Sequence, residues 1–127
     1  MRFAAVIIGG GIGSLLRYIV SGAVQSRVEA VFPYGTLCVN MAGCCVIGFL
    51  WTLFELTTVR PEMRLFFITG VLGGFTTFSS FGVETFNLFR DGEYLRAFAN
   101  VAVSNIAGLG CVFIGVISGR ALFALFR

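Results

Sequence analysis

Four long apolar runs, separated by short charged connectors, constrain this chain more than any other feature. Read between the charges, they extend roughly from Phe3 to Val24, Tyr34 to Phe54, Leu65 to Phe89 and Ala97 to Phe126. About 20 predominantly apolar residues suffice for an α-helix to cross the hydrocarbon core of a bilayer, so each run predicts a transmembrane helix. Composition agrees: 57% of the 127 residues are hydrophobic and 12% are charged, with a mean hydropathy of +0.95, outside the balance of a soluble domain. The connectors Gln25 to Pro33, Glu55 to Arg64 and Arg90 to Arg96 hold most of the charge and are too short for a soluble domain. Residues 1–127 therefore read as a single four-helix transmembrane domain of the all-α class. The apolar run after Met1 and Arg2 continues to Val24 and is followed by further spans, which argues against a cleaved leader.

The charges exclude several functions. All 9 basic residues are Arg, the net charge is +3, and the arginines punctuate apolar segments instead of clustering on a polar face, so no nucleic-acid partner is expected. There is no His and no Lys, and the single Asp, Asp91, lies in a connector; an enzyme would lack its usual acids and bases. Cys38, Cys44, Cys45 and Cys111 lie in apolar segments without C-x-x-C spacing and read as small packing residues. An even number of spans puts both termini on one side, so Arg2, Arg60, Arg64, Arg120 and Arg127 oppose Arg27, Arg90 and Arg96, while Arg17 sits within the first span. Orientation follows the arginine excess of the loops. So small a bias suits a chain that inserts both ways, and two opposite copies could pack as an antiparallel pair.

Polar groups inside a span are costly and are functional candidates by default. Here they are Arg17, Asn40, the group Thr76 to Ser80, Glu84, Asn100, Ser104 and Asn105. The segment Gly70-Val71-Leu72-Gly73-Gly74-Phe75-Thr76-Thr77-Phe78-Ser79-Ser80-Phe81 is the most unusual. Adjacent glycines followed by paired Thr and Ser weaken a helix, and a break frees carbonyls that must be satisfied within the protein or by an ion. The third span is therefore expected to break in mid-membrane, with the carbonyls of Gly73 and Thr76 suited to a hard cation such as sodium, or else satisfied by neighbouring hydroxyls. Phe75, Phe78 and Phe81 recur at three-residue spacing as an aromatic stripe, while Thr77, Ser80 and Glu84 fall on another face. Such a stripe is commonly lipid contact or core, but the positive edge of a phenyl ring also stabilises a small anion, and Asn40 and Ser104 could add hydrogen bonds. Asn100, Ser104 and Gly108 share a face of the fourth span, as path or as helix glue. Gly9 with Gly13, Cys44 with Gly48 and Ser104 with Gly108 allow close helix approach, within one chain or between subunits. A lone Arg17 near the end of the first span reads as snorkelling to the headgroups.

In these residues the sequence resembles the Fluc, or CrcB, family of fluoride channels. The resemblance runs through Gly13-Ser14-Leu15-Leu16-Arg17-Tyr18, Pro33 to Gly43 with its Gly-Thr-Leu-x-Val-Asn run, the stretch Gly70 to Phe81 with Glu84, and Asn100 through Ser104 to Gly108. It implies a dual-topology antiparallel homodimer in the bacterial inner membrane, conducting fluoride out of the cell down its electrochemical gradient through two antiparallel pores, with a structural sodium on the central two-fold axis. It also implies that Phe78 and Phe81 contact fluoride, that Asn40 donates a hydrogen bond in the pore, that Ser104 belongs to a polar track on the fourth helix, that Thr77 and Ser80 line the pathway, that the Gly73 and Thr76 carbonyls hold sodium, and that Arg17 stands at an aqueous vestibule. Two departures stand out: Ser80, where Thr is common, and Asn100, where some members carry Tyr. Serine keeps the hydroxyl; the shorter amide leaves the role of position 100 open. The rival reading is a small proton-coupled multidrug exporter, equally small and four-helical, which needs an intramembrane carboxylate. The first span has none, so that reading would have to use Glu84.

Overall fold

The computed structural model describes residues 1–28 and 30–126, and among these every regular element is helical. The elements are α1 (Arg2–Gln25), α2 (Tyr34–Leu56), the short α3 (Pro61–Arg64), a π-helical segment (Leu65–Leu72), the single turn α4 (Gly73–Phe75), α5 (Phe78–Arg90) and α6 (Tyr94–Leu125). Four stretches are long and apolar enough to cross a membrane: α1, α2, Pro61–Arg90 and α6. At 1.5 Å per residue, α1 reaches about 36 Å and α6 about 48 Å, enough to cross the hydrocarbon core.

Two pairs of helices form the body. α1 lies along the π-helical segment and α4, and α2 lies along α6. Both seams are made by glycine. A side-chain carbon added at Gly13 would strike the Val71 carbonyl, and one at Gly9 would sit 2.6 Å from the carbonyl of Phe66. Gly48 faces the Val112 carbonyl, and Gly108 meets the side chains of Met41 and Cys44. The recurrent small residues are therefore contacts within one chain, where backbone proximity drives association in lipid.

The π-helical geometry has a packing cause. The residues that meet α1 are Phe66, then Gly70 and Val71, then Gly74 and Phe75, an interval of about four residues that exceeds the 3.6 repeat of an α-helix. Widening the turn to i→i+5 bonding keeps them on one face against Gly9 and Gly13.

Regular helix ends at Thr76 and Thr77, whose φ/ψ values of −80/157° and −150/115° are extended. Thr76 turns its hydroxyl back to the Leu72 carbonyl at 2.9 Å, a local bond of the kind that competes with helix propagation. Thr77 then caps α5 by accepting from the Ser80 N–H at 3.1 Å, satisfying one of the orphan donors of a new helix. The break divides the expected aromatic stripe. Phe75 ends α4 against α1 and α2, while Phe78 and Phe81 begin α5 with ring centroids 5.4 Å apart. A continuous helical period across residues 75–81 was the wrong premise for three rings; the fold supplies a pair.

The connectors are fixed by single side chains. Gln25 accepts from the Gly35 N–H at 3.0 Å and donates to the carbonyls of Ala30 and Phe32, joining the end of α1 to the start of α2. Arg64 donates to the Phe54 carbonyl at 2.9 Å and lies 5.6 Å from the centre of the Trp51 ring, closing the end of α2. Gly92, with φ 80°, makes the tight turn into α6.

Candidate functional site

The break at Thr76 and Thr77 leaves backbone groups that a helix would have paired, and a buried unpaired group costs about 1–3 kcal/mol. Two side chains from other helices supply partners. Asn40 on α2 accepts from the Thr77 N–H at 2.8 Å and donates to the Thr77 carbonyl at 3.0 Å. Because an N–H must meet an oxygen and a carbonyl a nitrogen, this pair fixes the orientation of the amide. One of the two amide hydrogens of Asn40 is thereby used and the other remains free for the adjoining cavity. Arg17 on α1 donates to the Thr76 carbonyl at 3.3 Å. The guanidinium is half-buried and turned inward, so Arg17 does not snorkel; the released carbonyl is a better partner than a distant headgroup.

Two cavities flank the break. The first, of about 350 Å³, is lined by Asn40, Met41, Gly43, Cys44, Ile47, Ile68, Leu72, Gly73, Thr76, Thr77, Phe78, Phe81, Ser104 and Asn105. Its wall is mostly apolar, with polar groups at a few points, as is usual for small-ligand sites. The second, of about 410 Å³, is lined by Ser14, Arg17, Tyr18, Ser21, Gly22, Thr36, Thr77, Ser80 and Glu84. It contains one guanidinium, one carboxyl and several hydroxyls. Thr77 is the one residue common to both linings.

The two sides differ in chemistry. On the second, the Thr36 hydroxyl donates to Glu84 Oε1 at 2.6 Å, while Glu84 Oε2 is enclosed without a partner among the described residues. The Thr77 hydroxyl donates to Ser80 Oγ at 3.0 Å and lies 3.3 Å from Ser79 Oγ, so a row of hydroxyls leads from the chamber to the break. On the first side Phe78 is 82% exposed in the single chain, an apolar ring at the edge of a cavity that also presents the Asn40 amide and the Ser104 hydroxyl.

The fold thus brings Asn40, Thr77, Phe78, Phe81 and Ser104 to one cavity and Arg17, Thr77, Ser80 and Glu84 to the other. It does not bring Asn100 to either. That side chain is 2% exposed, donating to Thr85 Oγ1 at 2.8 Å and accepting from the Ser104 hydroxyl at 3.4 Å. Gly73 and Thr76 both line the first cavity. In an unbroken helix the Thr77 N–H would bond to the Gly73 carbonyl; here it goes to Asn40, so the Gly73 oxygen is released, as a hard cation requires. The Thr76 oxygen keeps one lone pair beside its bond to Arg17. These oxygens fit a sodium ion in kind, and a second copy of the chain would double their number.

Sequence reading missed Thr36 and Thr85. Both carried a signal: Thr36 precedes Asn40 by one turn on the same face of α2, and Thr85 follows Phe81 by one turn of α5.

Residues 4–116 match the family described as CrcB-like protein, Camphor Resistance (CrcB). The chain is similar to the fluoride-specific ion channel FluC of Parabacteroides distasonis, with 46% identity over 122 residues covering 96% of this chain and 95% of that one. It is 44% identical over 119 residues to FluC of Aquifex aeolicus, covering 93% and 96% of the two chains. Against FluC of Desulforapulum autotrophicum the identity is 41% over 122 residues, covering 95% and 98%.

Proposed function

The chain belongs to the CrcB family and is a fluoride-specific ion channel of the bacterial inner membrane, and we propose that the anion crosses it by way of the two cavities that meet at Thr77. The observation that carries this route is that shared residue: a polar chamber on one side, a phenyl-lined cavity on the other, and Thr77 lining both.

Fluoride enters the chamber drawn by the Arg17 guanidinium, which is already held at the break by the Thr76 carbonyl. Thr77 gives its proton to Ser80, whose own hydroxyl then donates to the ion in place of part of its water. Beyond Thr77, the free amide hydrogen of Asn40, the Ser104 hydroxyl and the edges of Phe78 and Phe81 take over. Hydrogen bonds to an ion are about twice as strong as neutral ones, while ring edges add a weak attraction that does not trap. Several moderate sites in series are what conduction needs. Selectivity against chloride follows from donors set for the smaller ion in a narrow passage. A channel moves its ion down the electrochemical gradient, so export is passive and lowers cytoplasmic fluoride.

The working unit on this proposal is an antiparallel homodimer. The exposed Phe78 ring would be covered by the second copy, and the Gly73 and Thr76 carbonyls of both copies would hold one structural sodium. When bound, the ion supplies a fixed positive charge that ties the two breaks together; the protein's part is to release the Gly73 oxygen by sending the Thr77 N–H to Asn40. The drug-exporter reading fares poorly on geometry. Glu84, the carboxyl that reading would have to use, accepts from Thr36 and shares its chamber with Arg17, a positive charge that repels a cationic drug.

The test is fluoride efflux from liposomes holding the purified protein, followed with a fluoride electrode, with valinomycin to dissipate the potential and chloride for comparison. Rapid fluoride release with little chloride release is expected. No release from folded dimers would remove the route and return Glu84 and proton coupling to consideration.

A further inference from the structure

Asn100 touches neither cavity, yet it is linked to two residues of the first, to Ser104 directly and to Phe81 through Thr85. Phe81 and Ser104 stand on its wall, one on α5 and one on α6. The Thr85 hydroxyl donates to the Phe81 carbonyl at 2.7 Å, Asn100 Nδ2 donates to Thr85 Oγ1 at 2.8 Å, and the Ser104 hydroxyl donates to Asn100 Oδ1 at 3.4 Å.

The direction of every bond in this chain follows from its first member. A carbonyl only accepts, so the single proton of Thr85 is committed to Phe81. The Thr85 oxygen can then only accept, which turns the amide nitrogen of Asn100 towards it. The amide oxygen is left facing Ser104, and it too can only accept. The one proton of Ser104 therefore points to Asn100 and away from the cavity, leaving lone pairs towards any ion there. Lone pairs repel an anion.

We infer that Asn100 is a positioning residue that withholds the Ser104 proton from the cavity until an anion draws it out. The final bond allows this. At 3.4 Å it is much longer than the usual O–H···O distance of about 2.7–2.8 Å, whereas the two bonds before it are short. An anion in the cavity offers a charged acceptor and a stronger bond, so the Ser104 hydroxyl rotates about its Cβ–Oγ bond to donate to the ion and rotates back when the ion leaves. No bond between heavy atoms changes. The competing acceptor weakens anion binding and speeds release, and the same relay fixes the separation between the Phe81 backbone and Ser104. This inference rests on the route proposed above.

The experiment measures initial fluoride efflux over a range of internal fluoride concentrations for Asn100→Leu, Thr85→Val, Ser104→Ala and the double variant Asn100→Leu with Ser104→Ala, each verified as a folded dimer by size-exclusion chromatography. With no acceptor behind Ser104, Asn100→Leu should bind fluoride more tightly and release it more slowly: half-saturating concentration and maximal flux both fall by about tenfold. Thr85→Val, which frees the amide to turn, should move both in the same direction by about threefold. In the Ser104→Ala background, Asn100→Leu should add less than about twofold, since residues acting as a unit are not additive. A lowered maximum at unchanged half-saturation, or effects that simply multiply, would assign Asn100 to packing and overturn the inference. Should Asn100→Leu not fold, Thr85→Val carries the same decision. If Ser104→Ala and Phe81→Ala both conduct as the parent does, the route itself is wrong and the inference falls with it; if they impair flux while Asn100→Leu and Thr85→Val do not, only the inference falls.

Discussion

The two halves of the third span are held in opposite ways. From Leu65 to Phe75 the chain is positioned by absent side chains: glycines on α1 and on the span bring backbone against backbone, and the helix widens to keep that contact. At Thr76 one such contact remains, its methyl against Gly43 of α2, and beyond it the chain is held differently. The backbone leaves helical geometry and is held by Asn40, Arg17 and its own threonine hydroxyls, with a cavity on either side. One half is rigid because it is full, and the other is defined because its polar groups are paired. A site that must admit an ion needs the second construction, and the first is what holds it in place.

The sharpest way to break this comparison is to fill the seam. Gly13→Leu forces atoms into the Val71 carbonyl and should destabilise by 3 kcal/mol or more, at or above the usual range of about 1–3 kcal/mol for overpacking; thermal unfolding in detergent would show a large fall in midpoint or no folded protein. Next comes the pairing at the break. Asn40→Ala strands the Thr77 N–H and carbonyl, costing about 1–3 kcal/mol for each group left without a partner, and should suppress fluoride efflux while the protein still assembles. Full retention of flux would remove Asn40 from both roles. Phe78→Ala and Phe81→Ala should impair flux, and for the exposed Phe78 the unfolding midpoint should hardly move; unchanged flux in both would remove the aromatic pair from the mechanism. Exchange of sodium for a large organic cation should lower the midpoint by a few degrees, about 1 kcal/mol for a domain of this size; an unchanged midpoint counts against the sodium. Smallest of all is Gly11→Ala. Gly11 lies between the two seam glycines but has nothing near it, so the change should stay within about 1 kcal/mol, the helix-propensity difference.

The spans were legible in the sequence because the bilayer length imposes a simple rule, and the observed ends of α1 and α2 fall within two residues of the expected ones. The weakness at Gly73 to Ser80 was legible too, from glycine and threonine chemistry. What the sequence could not show was how the weakness is resolved. That Asn40 holds the backbone of Thr77, that Arg17 turns inward, and that Asn100 reaches Thr85 depend on which faces of α1, α2, α5 and α6 meet. Periodicity places a residue on a face but does not say what stands opposite. The aromatic stripe failed for a related reason: a period holds only while the helix does, and Phe75 and Phe78 lie on opposite sides of its end.

That Thr77 lines both cavities also has an electrical consequence. A chamber lined by hydroxyls, a carboxyl and a guanidinium holds water, and water carries little of the transmembrane voltage. On the proposed route the potential then falls mainly beyond that chamber, from Thr77 across the phenyl-lined cavity. Moving one elementary charge through 100 mV is worth about 2.3 kcal/mol, so an anion that crosses there meets most of that energy after it has passed Thr77.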